Sequence, residues 1–339
     1  MSAERTVSKE TLLDMYKVML TIREFENEAI ELAKGNVTRA AVHTYQGEEA
    51  IAAGVCAHLT KDDYITSTHR GHGHCVAKGA DLYKMFAELM GREDGYCKGK
   101  GGSMHIADLD TGNLGANGIV GGGIPLAMGA GLGLQLNGSD RVSVCFFGDG
   151  AANEGAFHES LNMASVWGLP VVFICENNKY GISTHVSKSM HAKSVADRAV
   201  GYGIPGYKVD GNDVIAVYEL MDEILADVRS GKGPVLIEMD TYRMTGHYFG
   251  DNQNYRTKEE VDSWRDKDPI LRCHGVLKEY GMTEEELEDL RRGIKGEVLD
   301  ACEKAKLNPE PRVEDLTEDL YDAEMADIKW VAFDKKAAR

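Results

Sequence analysis

The sequence predicts a doubly wound α/β fold with a mostly parallel sheet, a helical lead before it and a helical tail after it. Three observations carry this prediction. Residues 142–175 read as strand, helix and strand: an apolar run at 142–147, helical spacing of Phe157, Leu161 and Ala164 within 154–167, and a second apolar run at 169–175. A second unit follows, with Val214, Val217, Met221, Leu225 and Val228 on one helical face, Gly231 as terminator, and a buried strand at 234–239. Two parallel strands joined by one helix require a crossover, so the loops after both strands lie on the same sheet edge.

The flanking segments follow from periodicity. Leu12, Met15, Tyr16, Met19 and Ile22 give an amino-terminal helix. At the other end Thr283 and Glu286 form a capping box ahead of Leu287, Leu290, Ile294, Val298 and Ala301, which stand at helical spacing on an acidic helix. The sequence is therefore divided into an α/β domain over 1–270 and a solvated helical appendage over 271–339. The uncharged run 118–137 has the length of a membrane span, but its glycines and Pro125 predict a buried, tightly packed helix instead. Gly129 and Gly133 are one turn apart and would let two helix backbones approach closely.

Composition narrows the function. The chain has 339 residues and a net charge of −17 (38 basic against 55 acidic residues), with no compensating basic block, which disfavours nucleic acid as a partner. Seven cysteines without a C-x-x-C pair, and an amino terminus without an apolar segment ahead of the first helix, read as a reduced, cytoplasmic protein with no membrane association.

The chemistry concentrates in GDGAANEGAFHESLNMASVWGLPVVFICENNKYGIS, residues 148–183. Amide groups of Gly150 and Ala151 at a helix start favour an anion. Asp149 beside them repels a bare phosphate unless a cation intervenes. The Asp149 carboxylate and the Asn178 amide oxygen are two hard ligands suited to Mg²⁺, 178 − 149 = 29 residues apart, the length of one loop, helix and strand. The reading is a Mg²⁺-bridged diphosphate. A nicotinamide fingerprint would require a third glycine where Asn153 stands. In HRGHGH, residues 69–74, a transition-metal site would need carboxylate or Cys company, whereas the planar fork of Arg70 suits a diphosphate. His43 and His247, at element ends facing the same edge, are candidate proton carriers, and Arg243 is a further candidate for the phosphate.

The spaced GDG and NN, together with ENNKYGIS, HRGHGH, GKGGSMH and GANGIVGGGIPLAMGAG, resemble the α subunits of the thiamine diphosphate-dependent 2-oxo acid and acetoin dehydrogenases, over about 11–264. The resemblance implies thiamine diphosphate and Mg²⁺ as cofactors, with Tyr180 joining Asp149 and Asn178 around the metal and also binding the cofactor. It implies that Arg70 and the residue before it, here His69 where Tyr is usual, hold the diphosphate. It implies that the backbone at Gly118, Ile119 and Val120 holds the aminopyrimidine, and that His43, His72 and His247 serve catalysis, His247 also touching the diphosphate. The glutamate that activates the aminopyrimidine belongs to a β subunit in this family; Glu48, Glu154, Glu159 and Glu176 occupy no position used for that task. An α₂β₂ heterotetramer and a lipoyl-bearing acyltransferase follow as partners, and the α chain alone is expected to be inactive. THRGHGH, GANGIVGGGIPLA and GHYFGDNQNYR resemble the acetoin-cleaving members more than the pyruvate or branched-chain ones. Tyr248 stands where phosphorylation-regulated relatives carry Ser, so that control is not implied.

Overall fold

In a computed structural model that describes residues 7–319, the chain begins with helix α1 (Lys9–Lys34), capped by the Ser8 hydroxyl, which accepts from the Thr11 amide. Then come α2 (Glu49–Cys56), β1 (Tyr64–Thr66), α3 (His72–Ala77), α4 (Leu82–Leu89) and α5 (Gly123–Leu136). The central unit is β2 (Ser143–Gly148), α6 (Gly155–Trp167) and β3 (Val171–Asn177), followed by the hairpin β4 (Tyr180–Gly181) and β5 (Thr184–His185) and the short α7 (Val186–Ser189). The chain closes through β6 (Gly206–Asp210), α8 (Val214–Asp227), β7 (Val235–Asp240), α9 (Lys258–Arg265), α10 (Pro269–Glu279) and α11 (Glu284–Lys306).

Five strands pair in the order β1-β2-β3-β7-β6, and every pairing in this sheet is parallel. Strands β2, β3 and β7 are buried on both faces, which is why they read as apolar runs rather than alternating ones. One face packs on α5 and α6 through Phe147, Phe157, Leu161 and Phe173. The other packs on α2 and α8 through Ile51, Val217, Met221 and Ile237. Helices on both faces make the fold doubly wound, as the sequence predicts. β3 begins two residues later than expected because Pro170 has no N–H for the ladder. It also runs on through Glu176 and Asn177, which pair with Met239 and Asp240 although both are polar.

Two expectations need correction. Helix α5 starts at Gly123, and 118–122 is a turn instead of helix. Its buried side carries Ile124, Ala127, Gly131 and Leu134, but Leu126 and Leu136 are exposed and a side chain at Gly129 or Gly133 would meet nothing within 4 Å. Among the described residues, the small-residue face therefore packs on nothing. Among the described residues, no helix is long and apolar enough to cross a membrane. The tail is helical, with its capping box at Thr283 and Glu286 in place. It is packed down, however: Leu287, Ile294, Val298 and Cys302 are buried in one cluster with Leu12, Met19 and Phe25 of α1, and Arg291 pairs with Glu24 at 3.2 Å. The rest of that tail, 320–339, lies outside the described residues.

Leu287→Ala is expected to lower the free energy of unfolding by about 2–5 kcal/mol, the usual cost of emptying a buried leucine site. Urea denaturation of the variant checks this; a change below about 0.5 kcal/mol, typical of a surface site, would show that α11 is not part of the core.

Candidate active site

The carboxyl ends of β1, β2, β3 and β7 open onto one cavity of about 410 Å³. β1 leads into Ser67, Thr68, His69 and Arg70; β2 into Asp149, Gly150 and Ala151; β3 into Glu176, Asn178 and Tyr180; β7 into Arg243 and His247. The segment before α2 adds His43 and Glu48, and the turn before α5 adds Gly118, Ile119 and Val120.

Asp149 is almost fully buried, and among the described residues its Oδ2 has no hydrogen-bond partner. Burial raises its carboxyl to about 6, against weaker opposing effects that include Lys179 and Arg243. A buried acceptor with nothing to accept from is the signature of a missing cation or donor. Asn178 is oriented: its Nδ2 donates to Glu48 Oε1 at 3.0 Å, and its Oδ1 accepts from the Tyr180 amide at 3.4 Å. The Tyr180 hydroxyl donates to Glu260 at 2.8 Å, so any ligand this residue offers the cavity is its backbone carbonyl, which Arg243 Nη1 approaches at 3.3 Å. One carboxylate, one amide oxygen and one carbonyl fit a hard divalent cation. Gly150 and Gly181 lie in contact across the floor of the site, a Cβ on either standing 3.4 Å from the other's Cα. The amides of Gly150 and Ala151 open a short 3₁₀ turn, Ala151–Asn153, rather than α6 itself.

The walls are basic without being strongly charged. Arg70 is buried; its Nη1 donates to the Thr44 carbonyl at 2.5 Å and its Nη2 to the His247 carbonyl at 3.0 Å, and desolvation lowers it to about 10. Arg243 donates from Nη2 to the Ile182 carbonyl at 2.8 Å and to the Tyr255 hydroxyl at 2.7 Å, while its Nε is buried without a partner. His43, His69 and His247 form a triangle with ring centroids 5.1–5.4 Å apart. Burial first, and then the Arg70 guanidinium, lowers His43 and His247 to about 4 and His69 to about 2. All three are neutral near pH 7, able to accept a proton or donate one from the N–H nitrogen.

Residues 17–314 match the family described as "Dehydrogenase E1 component". The chain belongs to that family. Among its relatives, the α subunit of the acetoin:2,6-dichlorophenolindophenol oxidoreductase of Bacillus subtilis is 50% identical, covering 93% of this chain and 95% of that one. The corresponding subunit from Cupriavidus necator is 46% identical over 94% of this chain and 97% of its own. The pyruvate dehydrogenase E1 component α subunit of Rhizobium meliloti is 41% identical over 92% and 90%. Membership in the E1 family makes the protein a thiamine diphosphate-dependent oxidoreductase component, and the orphaned Asp149 oxygen, the oriented Asn178 and the two buried arginines fit an anionic cofactor held through a cation.

Of the cofactor, metal and catalytic residues derived from the sequence, all but His72 line this cavity. His72 is fully buried, with Nδ1 3.2 Å from Glu26 Oε1 and Nε2 3.0 Å from Ser103 Oγ. The Ser103 hydroxyl in turn accepts from the His43 amide at 3.3 Å. His72 thus holds the segment that carries His43, from behind the cavity wall. Nor do the histidines of 69–74 gather on a metal, since among the described residues no cluster of three His, Cys, Asp or Glu side chains has that arrangement. Sequence reasoning also set Glu48 and Glu176 aside as unused. Both line the cavity: Glu48 Oε2 is buried without a partner, and desolvation together with Glu176 pushes its carboxyl well above the usual range. The available signal was position alone, one carboxylate at a strand end and one at a helix start.

The depressed histidines set a direction for pH. A histidine at 6.5 when unfolded and about 4 when folded binds fewer protons in the native state. Its stability contribution is complete above 6.5 and is lost as pH falls toward 4. The midpoint of urea denaturation should therefore fall over that window, and fall less steeply in His43→Gln; identical slopes would show that His43 does not titrate there.

Proposed function

We propose that this chain is the α subunit of an acetoin-cleaving E1, which with a β subunit releases acetaldehyde from acetoin and passes the remaining two-carbon unit, as acetyl, to a lipoyl-bearing acyltransferase. The observation carrying this reading is the cavity itself: a neutral histidine triangle beside a diphosphate-type floor, in a chain 50% and 46% identical to two acetoin:2,6-dichlorophenolindophenol oxidoreductase α subunits. A neutral hydroxyketone needs proton carriers more than a fixed carboxylate partner.

In this reading Asp149, Asn178 and the Tyr180 carbonyl hold Mg²⁺. Arg70, Arg243, His69 and the amides of Gly150 and Ala151 hold the diphosphate, Arg243 through its unpaired Nε. The backbone of Gly118 and Val120 holds the aminopyrimidine. Thiamine diphosphate, when bound, supplies the electron sink for C–C cleavage. His43 and His247 carry protons at the oxygen of the substrate's ketone group, positioned by the Ala41 carbonyl 3.1 Å from His43 Nδ1 and by the Asp251 carboxylate, which accepts from the His247 amide at 2.8 Å.

A second chain is needed to finish the site. Ile119 and Val120 form part of its wall yet are exposed, as is the Gly129 and Gly133 face of α5. We assign the first to a β subunit and the second to another α subunit, giving α₂β₂. Seven free cysteines, all but Cys97 buried, suit a reducing cytoplasm.

Two measurements test this reading. Asp149→Ala and Asn178→Ala should each abolish Mg²⁺-dependent thiamine diphosphate binding, followed by calorimetry on the co-expressed complex, while thermal melting of the protein is preserved; retained affinity would remove the metal assignment. With 2,6-dichlorophenolindophenol as acceptor, kcat/KM for acetoin should exceed that for pyruvate and for 3-methyl-2-oxobutanoate. A higher value for either oxo acid would assign the chain to that branch instead.

A further inference from the structure

Three side chains, Ser67, His74 and Glu176, run in series beneath the cavity. The Ser67 hydroxyl lies 2.7 Å from His74 Nδ1, and His74 Nε2 lies 2.9 Å from Glu176 Oε1. Ser67 and Glu176 both border the cavity, whereas His74 is fully buried, stacked on Phe146 with ring centroids 3.9 Å apart. The bonding fixes the histidine: its Nε2–H donates to Glu176, which leaves Nδ1 as an acceptor for the Ser67 hydroxyl. Tyr45 also donates to Glu176, so the carboxylate is held from two sides. Gly71 keeps the serine in place, because a Cβ there would come within 2.5 Å of Ser67 Oγ. A hydroxyl, an accepting imidazole and a carboxylate in series form the arrangement that draws a proton off an oxygen in acyl-transfer enzymes.

We infer that Ser67, His74 and Glu176 form a proton relay for the substrate's alcohol group, with Ser67 at the reacting atoms and His74 behind it. This rests on the acetoin reading above, and it explains how such an enzyme handles a step that oxo acids do not require. Loss of CO₂ from a 2-oxo acid moves no hydroxyl proton. Cleavage of acetoin must break the O–H bond at C3: its electron pair becomes the carbonyl of acetaldehyde, the C2–C3 pair passes to the electron sink, and the proton needs a base. The Ser67 oxygen accepts that proton as its own moves to His74 Nδ1. Glu176 stabilises the imidazolium without taking the proton. After acetaldehyde leaves, the proton returns along the same path to solvent.

The test uses the co-expressed α and β chains loaded with Mg²⁺ and thiamine diphosphate, comparing the parent with Ser67→Ala and His74→Gln. Both variants should lose about 10²-fold or more in kcat for acetoin, the usual worth of a positioned general base, with KM changed less than threefold. Two readouts separate relay from scaffold: calorimetric affinity for thiamine diphosphate, and hydrogen–deuterium exchange at the bound cofactor's C2, which needs the assembled site but no substrate. Both should stay within threefold of the parent in Ser67→Ala. Parallel loss of exchange and turnover in Ser67→Ala, or undiminished acetoin turnover in either variant, overturns the relay. If the parent complex turns over an oxo acid but no acetoin, the function reading fails as well, an outcome distinct from failure of the relay in an acetoin-active parent.

Discussion

Parallel pairing of β2 with β3 and of β3 with β7 brings Gly148 opposite Glu176 and Asn177 opposite Asp240, and every functional loop depends on that level edge. Asp149 follows the first strand by one residue, Asn178 the second by one, Arg243 the third by three. Their convergence needs no special loop conformation, because the ladder has already matched the strand ends. A slip of one residue in a strand buried on both faces would reverse which side chains meet α5 and α6 and which meet α2 and α8, so core packing and site geometry are fixed together.

The edge is also an electrostatic compromise. A strongly acidic chain encloses an anion site, and it does so by burying two arginines and keeping the histidines between them neutral. Burial weakens Arg70's hold on its proton, and Arg70 in turn opposes protonation of His43, His69 and His247. Cations that bind and imidazoles that exchange protons therefore share a small volume without the histidines adding to the charge. Two buried carboxyls, Glu26 and Glu176, fasten the strand-like segment at Tyr45 to α1 and to the end of β3, accepting respectively from its amide and its hydroxyl.

The central unit was legible because burial on both faces writes an unbroken apolar run, and because Gly-Asp-Gly and Asn-Asn mark its ends. Strand β6 was not, since Gly206, Tyr207 and Lys208 at the sheet edge are exposed and show no apolar period. HRGHGH was legible only in part. His69 and Arg70 do reach the cavity, but α3 begins at His72, and its helical turn sends His72 toward Glu26 and His74 toward Ser67 and Glu176. Its glycines have separate steric reasons: Gly71 clears the Ser67 hydroxyl, and a Cβ at Gly73 would fall 2.2 Å from the Tyr45 ring. A string of residues does not reveal which neighbour each one makes room for. The uncharged run before β2 misled for a related reason, since hydropathy does not distinguish a helix face buried in its own chain from one left open.

That open face bears on how dilute the protein can be. Beside Gly129 and Gly133, α5 exposes Leu126 and Leu136, and α6 next to it exposes Met163, Val166 and Trp167. Contiguous apolar surface of this kind is adhesive in water. A copy whose stripe is uncovered would adhere indiscriminately to other apolar surfaces. With a second copy of the chain as its cover, as proposed above, dilution of the protein itself, and not shortage of a different subunit, is what would lay the stripe bare.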